Sequence, residues 1–150
     1  MTEPEAGGNP APTLSDATRQ RMEGIRRGLL HLHKALLDSE RAAYEQEKGR
    51  VSSGELLQLL IGNPRFAWLR PFSEMVVQID EMQESPRDTP ESPTEKDGTA
   101  LLEQVRLLLK PAEGATGGSR SRYYEALQKD PATVLAHAEV SKLLPSAGEA

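Results

Sequence analysis

The stretch from Asp16 to Lys48, DATRQRMEGIRRGLLHLHKALLDSERAAYEQEK, decides the fold. It contains no proline, and its apolar residues recur at spacings that place them on one face of a helix. These residues are Met22, Ile25, Leu29, Leu32, Leu36 and Ala43. Ser15 or Asp16 is a suitable N-cap, and Gly49 is a suitable residue to end the helix. The pattern predicts one long amphipathic helix, which has to bury its apolar face against other elements.

A second, shorter helix is predicted from Ser53 to Ile61. Its large apolar residues are Leu56, Leu57, Leu59, Leu60 and Ile61. They are too densely spaced for a helix that keeps one face in water. We therefore expect this helix to be buried on most of its sides. Gly62 and Asn63 end it.

The third predicted helix starts at Pro64, with Asn63 as its N-cap, and ends near Gln83. Its apolar face consists of Phe66, Leu69, Phe72, Val76 and Ile79. Pro71 lies within this span, where a proline removes a backbone hydrogen bond, here the one to the carbonyl of Ala67. The sequence therefore predicts a kink in this helix.

Three further helices are predicted in the second half of the chain. They begin at Asp97 or Thr99, at Ser119 or Ser121, and at the pair Asp130 and Pro131, and they end at Pro111, Lys129 and about Leu143. No stretch alternates apolar and polar residues for long enough to form a strand. The sequence therefore predicts an all-α fold, an antiparallel helical bundle of about five to six helices.

The chain is long enough for one domain and too short for two independent cores. We expect a single helical domain at 14–144, between disordered tails at 1–13 and 145–150. Two flexible loops are expected within this domain, at 84–97 and 111–119. The first loop is acidic and contains three prolines, and the second contains three glycines.

The composition argues against several classes of protein. The chain has no cysteine, which excludes disulfides, thiolate metal sites and thiol nucleophiles and favours a reducing cytoplasm. No apolar run is long enough to span a membrane, and no signal peptide is expected at the N-terminus. The net charge is −5, but the segment 81–97 alone holds six acidic and two basic residues. The rest of the chain lacks the strongly basic face that nucleic-acid binding needs, so neither a membrane nor a nucleic-acid partner is expected.

The aromatic residues indicate a candidate interaction surface. The only tryptophan and both phenylalanines of the chain lie within residues 66–72. Trp and Arg are favoured in interface hot spots, although such a cluster can equally form the tightest part of a core. The candidate interaction residues are Trp68, Arg70, Phe72, Arg122 and Tyr123. Our first interpretation is a non-catalytic cytoplasmic protein that binds another protein or itself, with regulation as one possible role.

The alternative hypothesis is a bundle that binds a small ligand or a metal ion in an internal cavity. Four polar residues on or beside apolar helix faces would line this cavity: His33, Glu40, Tyr44 and Asp80. An acid in Asp80's position needs a partner, which His33, Arg70 or Arg122 could supply. Acids and tyrosine can also perform acid–base chemistry once a pocket raises their pKa values, so a hydrolase or transferase is a further hypothesis.

Neither a metal nor a cofactor is predicted. No glutamate is followed by a histidine three residues later, as di-iron bundles require, and His31 and His33 point to nearly opposite sides of a helix. The chain has no Gly-x-Ser-x-Gly elbow, no phosphate-binding loop and no dinucleotide fingerprint. No catalytic residue is therefore assigned.

One short segment resembles a known family. Residues 124–131, YEALQKDP, together with Ala136, look like the junction between consecutive tetratricopeptide repeats, where an Asp-Pro step joins two helices. A stable array of these repeats needs about three copies at a period of about 34 residues, and no second copy is present. The peptide-binding function of that family is therefore not carried over, and no family is identified for the whole chain.

Overall fold

The computed structural model describes residues 12–110 and 118–145, without the side chains of 118–120. This part of the chain contains six α-helices and one 3₁₀ helix. The helices are α1 (Asp16–Lys48), α2 (Ser53–Gly62), α3 (Arg70–Glu84), α4 (Glu95–Leu108), α5 (Gly118–Lys129) and α6 (Pro131–Ser141), and the 3₁₀ helix is Pro64–Leu69. These residues contain no strand, and one isolated bridge joins Thr13 to Thr94. The all-α prediction is confirmed for this part of the chain. No helix in it is long and apolar enough to cross a membrane.

The longest helix, α1, forms as its sequence predicts. The Ser15 hydroxyl caps it by accepting a hydrogen bond from the backbone N–H of Thr18 at 3.1 Å. Gly49 ends it with a φ of 90°, a left-handed conformation that favours glycine. Five of the six predicted apolar residues are buried: Met22, Ile25, Leu29, Leu32 and Leu36. α1 is the helix on which both α3 and α6 pack.

Contacts at both ends show that α3 runs antiparallel to α1. Near the start of α1, Arg26 Nε donates to Asp80 Oδ1 at 2.5 Å. Near its end, Arg65 Nε, just ahead of α3, donates to Glu40 Oε2 at 2.8 Å. Arg26, early in α1, therefore pairs with a residue late in α3. Glu40, late in α1, pairs with a residue that precedes α3.

α6 also runs antiparallel to α1, and it approaches α1 closely at a glycine. His31 lies opposite Glu139, with 3.8 Å between His31 Nδ1 and a Glu139 carboxylate oxygen. Earlier in α1, Gly28 faces Val140 so closely that an added Cβ would lie 2.6 Å from Val140 Cγ2. Because Gly28 and Val140 are both buried, the absence of a side chain at Gly28 sets the spacing of α1 and α6.

We expect Gly28→Ala to lower the free energy of unfolding by about 2 kcal/mol, the cost of inserting a methyl group into a well-packed contact. Gly54→Ala is the control, because the nearest atom to its added Cβ lies 4.0 Å away and alanine has the higher helix propensity. Urea unfolding of both variants measures the difference. Equal stability of the two variants would show that α1 and α6 do not meet at Gly28.

The predicted kink at Pro71 is replaced by a change of helix type. Residues Pro64–Leu69 form a 3₁₀ helix, and α3 begins at Arg70. Pro71 therefore lies in the first turn of α3. A backbone N–H in the first turn has no acceptor within the helix, so its absence in proline costs no hydrogen bond. The carbonyl of Ala67 accepts instead from the backbone N–H of Arg70.

α4 begins earlier than its sequence indicated. Thr94, and not Asp97 or Thr99, is its N-cap, and the Asp97 carboxylate accepts a hydrogen bond from the Thr94 N–H at 2.8 Å. Residues 95–97, placed in the predicted acidic loop, therefore belong to a helix. Glu95 also joins α4 to the start of α1, because its carboxylate accepts hydrogen bonds from the Ser15 N–H, at 2.9 Å, and from the Thr18 hydroxyl.

The connection between α3 and α4 is tied together locally. Ser92 Oγ donates to the Pro86 carbonyl at 2.6 Å and accepts from the Thr89 N–H at 2.9 Å. The flexibility expected for 84–97 remains a prediction. Most of the predicted tails and of the loop 111–119 lies outside the described residues.

Candidate functional site

The predicted interaction segment at residues 68–72 is divided between the core and the surface. Phe72 is fully buried, and its ring packs edge-on against Trp68 and Tyr123 at centroid distances of 6.3 Å and 5.2 Å. Trp68 is half-buried, and its Nε1–H donates to Glu40 Oε1 at 3.1 Å. Arg70 is exposed, with its guanidinium 3.4 Å from the Ile61 carbonyl at the end of α2. Of the predicted trio, Arg70 is exposed, Trp68 is half-buried and Phe72 is a core residue.

Arg122 and Tyr123, the second predicted group, also separate. Arg122 is exposed, whereas Tyr123 is fully buried and its hydroxyl contacts Nδ1 of His137. Burial raises the pKa of Tyr123, so the phenol keeps its proton, and its hydroxyl shares a hydrogen bond with the imidazole. Burial also lowers the pKa of His137. Tyr123 therefore joins α5 to α6 from within and offers no surface.

None of the described cavities is lined by more than one of the four residues of the ligand-binding hypothesis. Asp80 pairs with Arg26, which is none of its three predicted partners. Tyr44 packs its ring on Phe66 at a centroid distance of 5.8 Å. His33 is half-buried, and no hydrogen bond or ion pair joins it to another described residue. Within the described residues, no group of three or more His, Asp or Glu side chains could hold a metal ion.

Glu40, the fourth of these residues, lies at a cleft of about 540 Å³. The cleft runs between the second half of α1, the 3₁₀ helix, α5 and the start of α6, and it also brings Trp68 and Arg122 together. Only 10% of the Glu40 side chain is exposed, and Arg65 and Trp68 both donate hydrogen bonds to its carboxylate. These two hydrogen bonds join α1 to the 3₁₀ helix.

The most unexpected feature is α2. The dense apolar pattern predicted a helix buried on most sides, and this prediction is wrong, because none of its residues is buried. Leu56, Leu59 and Leu60 are partly buried against the core, whereas Leu57 and Ile61 are 55% and 64% exposed. We call the exposed side chains of Leu57 and Ile61, one helical turn apart, the α2 surface. Sequence analysis did not identify the α2 surface as a site, although the dense run of apolar residues in this helix could have indicated it.

Local contacts fix α2 in place. The Ser52 hydroxyl accepts from the Glu55 N–H at 3.1 Å, and the Glu55 carboxylate accepts from the Ser52 N–H at 2.7 Å, forming a capping box. Arg41 of α1 donates to the Val51 carbonyl at 2.8 Å. The α2 surface is therefore presented by an ordered helix attached at both ends.

A second exposed apolar group lies on α6. Val134 and Leu135 are 45% and 70% exposed and line a shallow groove of about 430 Å³ with Leu127 and Pro131. Unlike α2, α6 buries its other face, through Thr133, Ala136 and Val140. Its exposed residues are thus the outer face of a helix that already has a partner in α1.

The chain was compared with protein-family models, with curated proteins and with solved structures, and none of the three comparisons found a match.

We expect the protein to lose stability as the pH falls through the histidine range. Burial lowers the pKa values of His33 and His137, so the unfolded chain binds their protons more readily than the folded chain. Their contribution is fully present above the ordinary histidine pKa of about 6.5 and is lost as the pH falls toward the lowered values. Hydrogen bonds lower the pKa of Glu95, so its contribution disappears only at more acidic pH.

Urea midpoints at a mildly alkaline and a mildly acidic pH, the latter still above the ordinary carboxylate pKa values, measure this loss. The variant His137→Asn is expected to remove part of the loss. A midpoint that rises on acidification within this window would contradict the lowered pKa values.

Proposed function

We propose that the protein is a non-catalytic interaction module that self-associates through the α2 surface. The observation that carries the proposal is that the sequence of α2 is apolar on nearly all sides whereas none of its residues is buried. A helix that is apolar on nearly all sides is stable when most of its surface is covered. Within the described residues, contacts with the core cover only the side of α2 that bears Leu56, Leu59 and Leu60. A second protein surface is the cover that would complete its burial.

The chemistry of α2 supports a second copy of the chain as that cover. Glu55 is the only charged residue of α2, and it is held in the capping box at the start of the helix. Two copies can therefore meet at Leu57 and Ile61 without opposing like charges. Arg70, at the end of α2, would lie at the polar rim of such a contact.

The proposal retains the expected cytoplasmic location, which suits a chain without cysteine. It also retains an antiparallel bundle for the whole domain, supported by the antiparallel pairs α1–α3 and α1–α6. The alternative, a bundle that binds a small ligand or a metal ion, has less support because no described cavity is lined by more than one of its four candidate residues.

Sedimentation velocity over a wide range of protein concentration tests the proposal. The wild-type chain is expected to change from monomer to dimer as its concentration rises. The double variant Leu57→Ser, Ile61→Ser is expected to remain monomeric, because it removes the apolar area that drives association. Its matched control is Val134→Ser, Leu135→Ser, which removes two exposed apolar side chains from α6 and should still dimerise.

Circular dichroism of each variant confirms that its helices are intact. A wild-type chain that stays monomeric at every concentration would overturn self-association. A dimer that is lost in the α6 variant and kept in the α2 variant would move the contact to α6.

A further inference from the structure

The α2 surface is too small to hold two copies of the chain together by itself. A standard protein–protein interface buries roughly 800 Å² of surface on each partner. α2 has only 10 residues, and its exposed large apolar side chains are Leu57 and Ile61. Self-association through α2 therefore requires the contact to continue onto neighbouring parts of the molecular surface.

Two further exposed apolar side chains flank the groove between α1 and α3. Among the described residues of these two helices, Leu30 of α1 and Val77 of α3 are the large apolar side chains that are exposed. Arg26 and Asp80 pair across the same groove. Leu30 lies one turn after Arg26. Val77 lies one turn before Asp80, which is the same direction along the groove because the helices are antiparallel. We call the surface formed by Leu30 and Val77 the α1–α3 groove.

Arg70 and Glu74 connect the α2 surface to the α1–α3 groove. The guanidinium of Arg70 lies 3.4 Å from the Ile61 carbonyl at the end of α2. Glu74 and Val77 follow Arg70 at helical spacing, so these three side chains share one face of α3. All three are exposed. The α2 surface, this pair of opposite charges and the α1–α3 groove therefore form one continuous face.

This face is complementary to itself under a two-fold rotation. In a dimer whose two-fold axis passes between Arg70 and Glu74, each end of the face meets the opposite end of the face on the other copy. Arg70 of one copy then lies opposite Glu74 of the other, and the two charges attract. The apolar α2 surface of each copy lies over the apolar α1–α3 groove of the other. A groove between two helices is a surface into which the side chains of a third helix pack.

We propose that α2 of each copy docks in the α1–α3 groove of a second copy, in a two-fold dimer. The inference rests on the proposed self-association through α2 and names the surface that covers this helix. A contact of α2 with α2 alone would leave Leu30 and Val77 exposed and would bury much less area.

Mixing two variants that are each impaired in dimerisation tests the proposal by sedimentation velocity of the full-length chain. The groove variant Leu30→Ser, Val77→Ser is expected to weaken dimerisation at least about tenfold, because both docked helices lose apolar contact. The α2 variant Leu57→Ser, Ile61→Ser is expected to remain monomeric. A mixture of the two is expected to dimerise better than either variant alone, since one intact α2 then meets one intact groove.

The matched control is Val134→Ser, Leu135→Ser on α6, which also removes two exposed apolar side chains and should dimerise as the wild-type chain does. All the substituted residues are exposed, so the variants are expected to fold, and circular dichroism checks this. A groove variant that dimerises like the wild-type chain, or a mixture no better than its components, overturns docking in the groove and leaves self-association standing. A wild-type chain that stays monomeric overturns self-association itself.

The charge pair gives a second measurement that does not alter the apolar residues. Arg70→Glu places two acids opposite each other in the dimer and is expected to weaken dimerisation. Adding Glu74→Arg is expected to restore it, because the exchanged charges pair again across the two-fold axis. A double variant that dimerises no better than Arg70→Glu overturns the two-fold arrangement.

Discussion

Phe72→Ala is expected to lower the free energy of unfolding by about 3–5 kcal/mol, the usual cost of removing a buried aromatic ring. Phe72 is fully buried and lies between the rings of Trp68 and Tyr123. Its loss opens a cavity where α3, α5 and the 3₁₀ helix meet, and rigid neighbours cannot fill it. Urea unfolding followed by Trp68 fluorescence and by circular dichroism measures the change.

Arg70→Ala is the control for this experiment, because Arg70 is two residues away and exposed. Its substitution should change stability by no more than about 0.5 kcal/mol, as is usual at the surface. If Phe72→Ala were equally harmless, Phe72 would have to lie on the surface, as the first interpretation of the sequence allowed.

Glu40→Ala is expected to cost about 3 kcal/mol, because it leaves a partly buried guanidinium and an indole N–H without their acceptor. The Glu40 side chain is 10% exposed and that of Arg65 25% exposed, with 2.8 Å between Arg65 Nε and the carboxylate. Arg65 keeps a second acid, Glu47, at 3.1 Å, which limits the loss. Urea unfolding again measures the effect.

Glu103→Ala provides a matched comparison, since Glu103 also pairs with an arginine but is 49% exposed. An exposed pair of this kind contributes at most about 1 kcal/mol. Similar losses in the two variants would mean that the Glu40 pair is no more protected from water than a surface pair.

The sequence predicted α1 well because its apolar period is clear, its N-cap lay between the neighbouring residues Ser15 and Asp16, and Gly49 marked its end. It failed at α2 for a physical reason: composition shows that a helix is apolar but not which of its sides the rest of the chain covers. That depends on tertiary packing, which leaves Leu57 and Ile61 outside. The boundary at Thr94 was missed because several residues nearby are equally suitable caps.

The candidate sites show the same limit. The sequence identified Glu40 and Asp80 as polar groups that need partners, and both have them. It could not name Arg65 and Arg26 as those partners, because the pairing depends on how α3 lies along α1. Tyr123 and His137, fourteen residues apart, meet only because α5 and α6 fold back on each other.

The most direct test of self-association through α2 follows the methyl NMR signals of Leu57 and Ile61 as the protein concentration is raised. We predict shifts that depend on concentration at these two residues, with smaller changes at Val134 and Leu135 on α6. Shifts of the α2 methyls that stay constant over the whole range, or changes confined to α6, would contradict the account.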